Sequence, residues 1–420
     1  MFVLYDLVFI IFAIAYLPLF LLRKKLHQGF AQRLGFLPRA LRLDRPIWVH
    51  AVSVGEAKVA GILVKQLRQA YPAKRFVFST ITTTGNKIVR SFQQEGDFVF
   101  YLPFDLSFII RRVISRLKPS VCIIVETEIW PNLINQLDQM NVPTILVNAR
   151  ISDRSFLGYR MIKPLLKSTL NRVRFFCIQS QKDARRLSTL GVYPDKLKVT
   201  GNMKFDFFQD CPECTNDKLK LGLRHQERLF VAGSTHPGEE EVILSAYKKL
   251  LAEFPDLRLL LAPRHPERSS EVESIIGEFG FTPIRISKLD LSAKRYPLNA
   301  IFILDTIGEL FSFYAIADIV FVGGSLIKKG GHNILEPAYF SKPILFGPYM
   351  FNFLEMSDLF LAEQAARMVP RGEELPNQIR FLLSHSDELK AIGQRARQLV
   401  LNNQGATKRI VQLIKTAVQI

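Results

Sequence analysis

The sequence predicts an α/β protein built from two Rossmann-like domains facing a cleft, with a membrane-anchor helix at its N-terminus. Three observations carry this expectation. Short apolar runs alternate with helical stretches along most of the chain; the alternation lapses once, in DFFQDCPECTNDK from Asp206; and an apolar run opens the chain and ends in Arg23-Lys24-Lys25. Apolar strands without polar alternation are those of a parallel sheet covered on both faces. Strand–helix alternation then implies a doubly wound fold.

In the first half the strand-like runs are 47–54, 75–80, 98–103, 121–127, 143–149 and 173–180; in the second they are 228–235, 257–263, 281–287, 300–306, 318–324 and 342–348. At 420 residues the chain is too long for one ordinary core. The expected organisation is an anchor over 1–22, a first Rossmann-like domain over 23–206, a linker over 207–220, a second Rossmann-like domain over 221–385 and a C-terminal helical segment over 386–420.

The opening run, Phe2 to Leu22, is apolar except for Asp6, with Pro18 near its end. That length suits one membrane crossing, although Asp6 and Pro18 leave room for a segment that dips in rather than spans. Positive charge follows the run instead of preceding it, the reverse of a cleaved signal peptide. The positive-inside rule then keeps the remaining chain in the cytoplasm. Between 23 and 45, basic residues mix with Leu26, Phe30, Leu34 and Phe36, the composition of an interfacial surface beside anionic headgroups.

Hydrophobic residues at 48% and charged residues at 22% fit a folded enzyme and exclude disorder. A net charge of +18 points to an anionic partner. No nucleic-acid-binding motif accompanies that charge. Four cysteines make no disulfide framework, and the lone pair Cys211 and Cys214 lacks the second pair or the histidines of a zinc site.

Open α/β sheets bind ligands at the carboxyl ends of their strands, in the loops before the next helices. In the first half HAVSVGE (50–56) runs from a strand into a helix start and places Glu56 there. A carboxylate in that position suits a general base for a hydroxyl proton; its plainer role is to complement the helix dipole. Glu126 and Glu128 of ETEIWPN also end a strand, with Trp130-Pro131 suggesting a rigid turn and a structural Glu128.

The second half offers GSTHPGEEE (233–241), LAPRHPER (261–268), DTIGEL (305–310) and GGSLIKKGGHNILEP (323–337). Arg264 forks naturally onto a phosphate. A glycine-rich entry to a helix opening near Asn333 cradles phosphate, and Glu336 one turn in can hold ribose hydroxyls. The series fits neither G-x-G-x-x-G nor a P-loop. No Asp-x-Asp occurs, so the expected mechanism is metal-free and without cofactor, with the helix dipole, Arg264 and Lys204 of GNMKFD offsetting the leaving phosphate's charge.

HAVSVGE, ETEIWPN, NARISDRS (148–155), GNMKFD (201–206), GSTHPGEE, APRHPER and GGHNILEP, in that order and over nearly the whole chain, resemble the Kdo transferases of lipopolysaccharide biosynthesis (Kdo is 3-deoxy-D-manno-oct-2-ulosonic acid). The resemblance implies a GT-B fold, CMP-Kdo as donor, the lipid A precursor lipid IVA as acceptor, inversion at the anomeric carbon and no metal. It implies Glu56 as general base, with Glu126 and Lys204 stabilising the transition state. It implies that CMP is bound at Pro263 and Arg264, at Ile307, Gly308 and Glu309, and at Asn333, Ile334, Leu335 and Glu336. The expected location is the inner membrane of a bacterium, with the catalytic domains on the cytoplasmic side among its anionic lipids. Basic residues at Arg150, Arg154, Arg160, Lys163 and Lys167 would face the acceptor's anionic headgroup. The rival expectations are another membrane-surface transferase with a different donor sugar, and a non-catalytic lipid- or nucleotide-binding protein.

Overall fold

The computed structural model describes residues 5–11, 29–208, 218–224, 226–289 and 296–418, so Cys211 and Cys214 lie outside the described residues. Two compact units are present: Met1–Gln209 with Asn403–Ile420, and Asp210–Asn402.

The first unit holds β1 (Ile47–His50), β2 (Phe76–Thr80), β3 (Phe98–Tyr101), β4 (Val121–Val125), β5 (Thr144–Ala149), β6 (Phe175–Ile178) and β7 (Leu197–Val199). They form one sheet in the order β3-β2-β1-β4-β5-β6-β7, with every pair parallel. Successive side chains on a strand point to opposite faces. Ile47, Val49, Phe76, Phe78, Ile123 and Val125 therefore pack on one side, against the helices Val54–Ala70 and Ala406–Ala417. Trp48, Val77, Cys122, Ile124 and Leu146 pack on the other, against Ser107–Leu117, Pro131–Gln139 and Lys163–Leu170. Both faces are dry, which is why the strands read as unbroken apolar runs.

The second unit holds β8 (Arg228–Thr235), β9 (Leu257–Pro263), β10 (Thr282–Arg285), β11 (Ala300–Ile303), β12 (Ile319–Val322), β13 (Ile344–Phe346) and β14 (Arg367–Met368). Its sheet runs β10-β11-β9-β8-β12-β13-β14, again parallel throughout. In each sheet the winding reverses once, between β1 and β4 in the first unit and between β8 and β12 in the second. Such a reversal leaves a crevice at the strands' carboxyl ends.

The stretch from 386 onward is divided between the units. Helix Ser386–Asn402 belongs to the second. Helix Ala406–Ala417 returns to the first, burying Ala406, Ile410 and Ile414 beside the helix that begins at Val54. Its N-terminus is held from a distance: the Asp206 carboxylate accepts from Gly405 N, Thr407 N and Thr407 Oγ1, each at 2.6 Å.

Most of the anchor expected over 1–22 lies outside the described residues, which omit 1–4 and 12–28; 5–11 are helical. Among the described residues no helix is long and apolar enough to cross a membrane. Asp6, the polar residue inside the apolar run, has a definite task. Its carboxylate accepts from Ser107 N at 3.1 Å, Ser107 Oγ at 2.5 Å and Asn132 Nδ2 at 2.6 Å. It thereby caps the helix Ser107–Leu117, whose own N-cap residue Leu106 supplies no side chain.

Candidate functional site

The first unit's crevice gathers three glutamates, one from the first turn of the helix after β1 and two from the loop after β4. Ser53 is the N-cap of helix Val54–Ala70 and accepts from Glu56 N at 3.4 Å. Glu56 answers through its carboxylate, taking Val52 N at 2.6 Å and Ser53 Oγ at 2.8 Å. This reciprocal arrangement is a capping box shifted onto the loop, and it fixes the carboxylate at the sheet's edge. Glu56 is 8% exposed. Burial pushes its carboxyl up, opposed by the Ser53 and Val52 hydrogen bonds and reinforced by the charge of Glu126.

Glu126 follows β4 with φ 62°, the left-handed region that side chains other than glycine rarely occupy. That turn brings its carboxylate 3.3 Å from Lys204 Nζ and 3.4 Å from Arg150 Nε. Lys204 sits in the 3₁₀ turn Met203–Phe208, anchored by Asn148 Oδ1 accepting from Met203 N at 2.9 Å. Glu56, Glu126 and Lys204 are thus brought together. Glu128, read from the sequence as structural, belongs to the same group: burial, then the charges of Glu56 and Glu126, push its carboxyl up to about 7. Arg150 had no role beyond the basic cluster. Nothing in its spacing from Glu126 announces the ion pair.

In the second unit Pro263 ends β9 and is buried, while Arg264 beyond it is exposed. Ile307, Gly308 and Glu309 form the exposed turn after β11, with Ile307 85% exposed and Glu309 accepting from Thr306 Oγ1. Asn333 accepts from Leu335 N at 3.1 Å and donates to Glu336 Oε1 at 3.0 Å. The helix that follows is short, Leu335–Tyr339. The first glycine turn of the series, directly after β12, has its amides taken from within. The buried Glu239 carboxylate accepts from Gly324 N at 2.6 Å, from Ser325 N and Leu326 N at 3.0 Å, and from His236 N at 3.1 Å. His236 and His332 also meet at this crevice; both stand in motifs quoted above, yet nothing in their spacing pairs them.

A sequence profile described as 3-Deoxy-D-manno-octulosonic-acid transferase (kdotransferase) matches residues 28–207. The chain is similar to the 3-deoxy-D-manno-octulosonic acid transferase of Haemophilus influenzae, at 37% identity over 391 residues, 92% of this chain and 91% of that one. Among solved structures it is similar to a putative UDP-N-acetylglucosamine 2-epimerase from Listeria monocytogenes, with TM-score 0.61 and 15% identity over 89% of this chain and 96% of the other. It is also similar to MurG of Acinetobacter baumannii, with TM-score 0.57 and 14% identity over 88% of this chain and 99% of that one. At such identities the structural likeness speaks for fold alone, and the fold is GT-B.

Proposed function

The chain belongs to the Kdo transferase family, and we propose that it moves Kdo from CMP-Kdo to lipid IVA with inversion at the anomeric carbon and without a metal ion. Glu56 takes the proton from an acceptor sugar hydroxyl. The hydroxyl oxygen attacks the anomeric carbon, the bond from that carbon to the phosphate oxygen breaks, and its electron pair leaves with CMP. Lys204 and Arg150, held on Glu126, offset negative charge as it develops. Pro263 and Arg264, the turn Ile307–Glu309, and Asn333, Ile334, Leu335 and Glu336 hold the cytidylate.

The observation that carries this reading is the fixed, buried Glu56 carboxylate at the topological switch point. Val52 and Ser53 take two of its lone-pair sites, and a carboxylate has about four, so it can still accept a substrate proton. Its raised basicity suits the task. The acceptor's phosphates and their membrane are supported by the exposed helices Asp153–Met161 and Lys163–Leu170, where Arg154, Arg160, Lys163 and Lys167 alternate with exposed Leu157, Met161, Ile162 and Leu165.

The test is incubation of the purified chain with CMP-Kdo and lipid IVA, followed by mass spectrometry. Lipid heavier by one or more Kdo residues is expected, and transfer should fall by about 10²–10⁴-fold in Glu56→Gln while CMP binding persists. Transfer from UDP-sugars but not from CMP-Kdo overturns the donor. Unchanged turnover in the variant overturns the base.

A further inference from the structure

The switch point of the second unit holds a cluster that the reading above leaves unused. His236 follows β8, His265 follows β9 and His332 lies on the loop after β12. His236 Nε2 and His332 Nε2 are 2.9 Å apart. Their ring planes are parallel to within 7°, but the centroids stand 5.2 Å apart, beyond the ~3.5–4.0 Å of carbon contact between stacked faces. The rings therefore lie end to end and share one N–H···N hydrogen bond. His265 meets His236 edge-on at 5.9 Å. Gly324, at φ 66°, makes room for the pair: a Cβ there would stand 3.0 Å from the His332 ring.

An incoming phosphate cannot use the neighbouring amides of Gly324, Ser325 and Leu326, because Glu239 already takes them. Side chains must receive it. Those facing the pair are cationic or neutral: Arg264, Arg268, Lys329 and His265. Of the adjacent carboxylates, Glu239 is taken up by the backbone, and Glu240 holds Thr235 and Arg268 through Oε1 while its Oε2 is buried and unpartnered; Arg268 is further tied to Glu271. Burial first, and then these neighbours, bring both His236 and His332 down to about 4. At neutral pH the pair is uncharged, with one outer nitrogen carrying a hydrogen and the other bare. Neither outer nitrogen has a hydrogen-bond partner among the described residues.

We propose that the His236–His332 pair, with His265 and Arg264 beside it, is the phosphate seat of the donor nucleotide and takes up a proton from solvent as that phosphate arrives. This rests on the nucleotide reading above. One added proton gives the pair an outward N–H at both ends, and an anion within ~4–6 Å favours the charged ring by about 1–3 pH units.

The test is calorimetric titration of CMP into the full chain between pH 5.5 and 6.5, in buffers of different ionisation heat, with cytidine as the phosphate-free probe. Net proton uptake is expected with CMP and none with cytidine. In His332→Asn and in His236→Asn the uptake should fall by at least half, with CMP bound roughly tenfold more weakly. Absent uptake in the native chain overturns the proposal, an arm that needs no variant to fold. Undiminished uptake in both variants also overturns it, since the proton would then be taken up outside the pair; CMP's own phosphate, which titrates near pH ~6, releases protons among cations and only counts against uptake. If CMP does not bind the native chain at all, the nucleotide reading fails and the seat falls with it.

Discussion

Three carboxylates crowded into one crevice cannot all ionise freely, and Glu128 is the one that yields. Its carboxyl rises from 4.5 to about 7, through burial and then through the charges of Glu56 and Glu126. A raised carboxyl contributes stability fully below the unfolded value near 4.5 and loses it as pH climbs through 7. Glu128→Gln should therefore match the native chain in stability at pH 4.5 and exceed it at pH 8 by roughly 2 kcal/mol. Urea denaturation at the two pH values measures this, and equal stability at pH 8 would refute the crowding. Glu56 was legible from its motif because HAVSVGE shows a strand end, a helix start and an acid in one reading. The pairing of Glu126 with Lys204 was not, since 78 positions of sequence separation say nothing about which loops converge. The left-handed turn at Glu126 that makes the pairing possible leaves no mark on residue type.

At the scale of elements, remote aspartates tie the first unit together. Asp6 caps the helix Ser107–Leu117; Asp105 accepts from Asn132 N and Leu133 N of Pro131–Gln139; Asp206 caps Ala406–Ala417. None of these helices has a capping side chain at its own N-cap residue. Asp206→Ala should cost about 1–3 kcal/mol, because it strips a buried acceptor from three donors. Hydrogen exchange should quicken over 403–418 and along Val54–Ala70, which that helix covers; protection unchanged in both segments would show the cap to be dispensable. Such caps are invisible in sequence, where a cap is sought beside its helix. Twelve strands were readable as apolar runs. The edge strands β7 and β14 were not, since each is both short and largely unburied, whereas the equally short β13 is buried throughout.

For the whole molecule, composition had announced an anionic partner through its charge of +18. Where that charge meets apolar surface is a structural fact: Met161 is 85% exposed and Leu157 61% exposed among Arg154, Arg160 and Lys163. Met161→Glu should weaken co-sedimentation with vesicles rich in anionic lipid by about five- to tenfold, through lost burial and added repulsion. Raising salt from 0.1 to 0.5 M should weaken the native chain's binding as well. Vesicle binding indifferent to both changes would move the docking surface elsewhere.

The return of helix Ala406–Ala417 to the first unit bears on how the protein is made. Synthesis delivers the chain from its N-terminus, yet the face of Val54–Ala70 that receives this helix stays bare until residues beyond 402 have left the ribosome. All the strands of the second unit have emerged by then. The domain begun first is the one finished last, so on the nascent chain the order of completion inverts the usual N-terminal-first sequence. A nascent chain that has emerged only as far as 402 would present a unit with every strand in place beside one whose helix Val54–Ala70 is left open, where Ala406–Ala417 will pack, to chaperones and proteases.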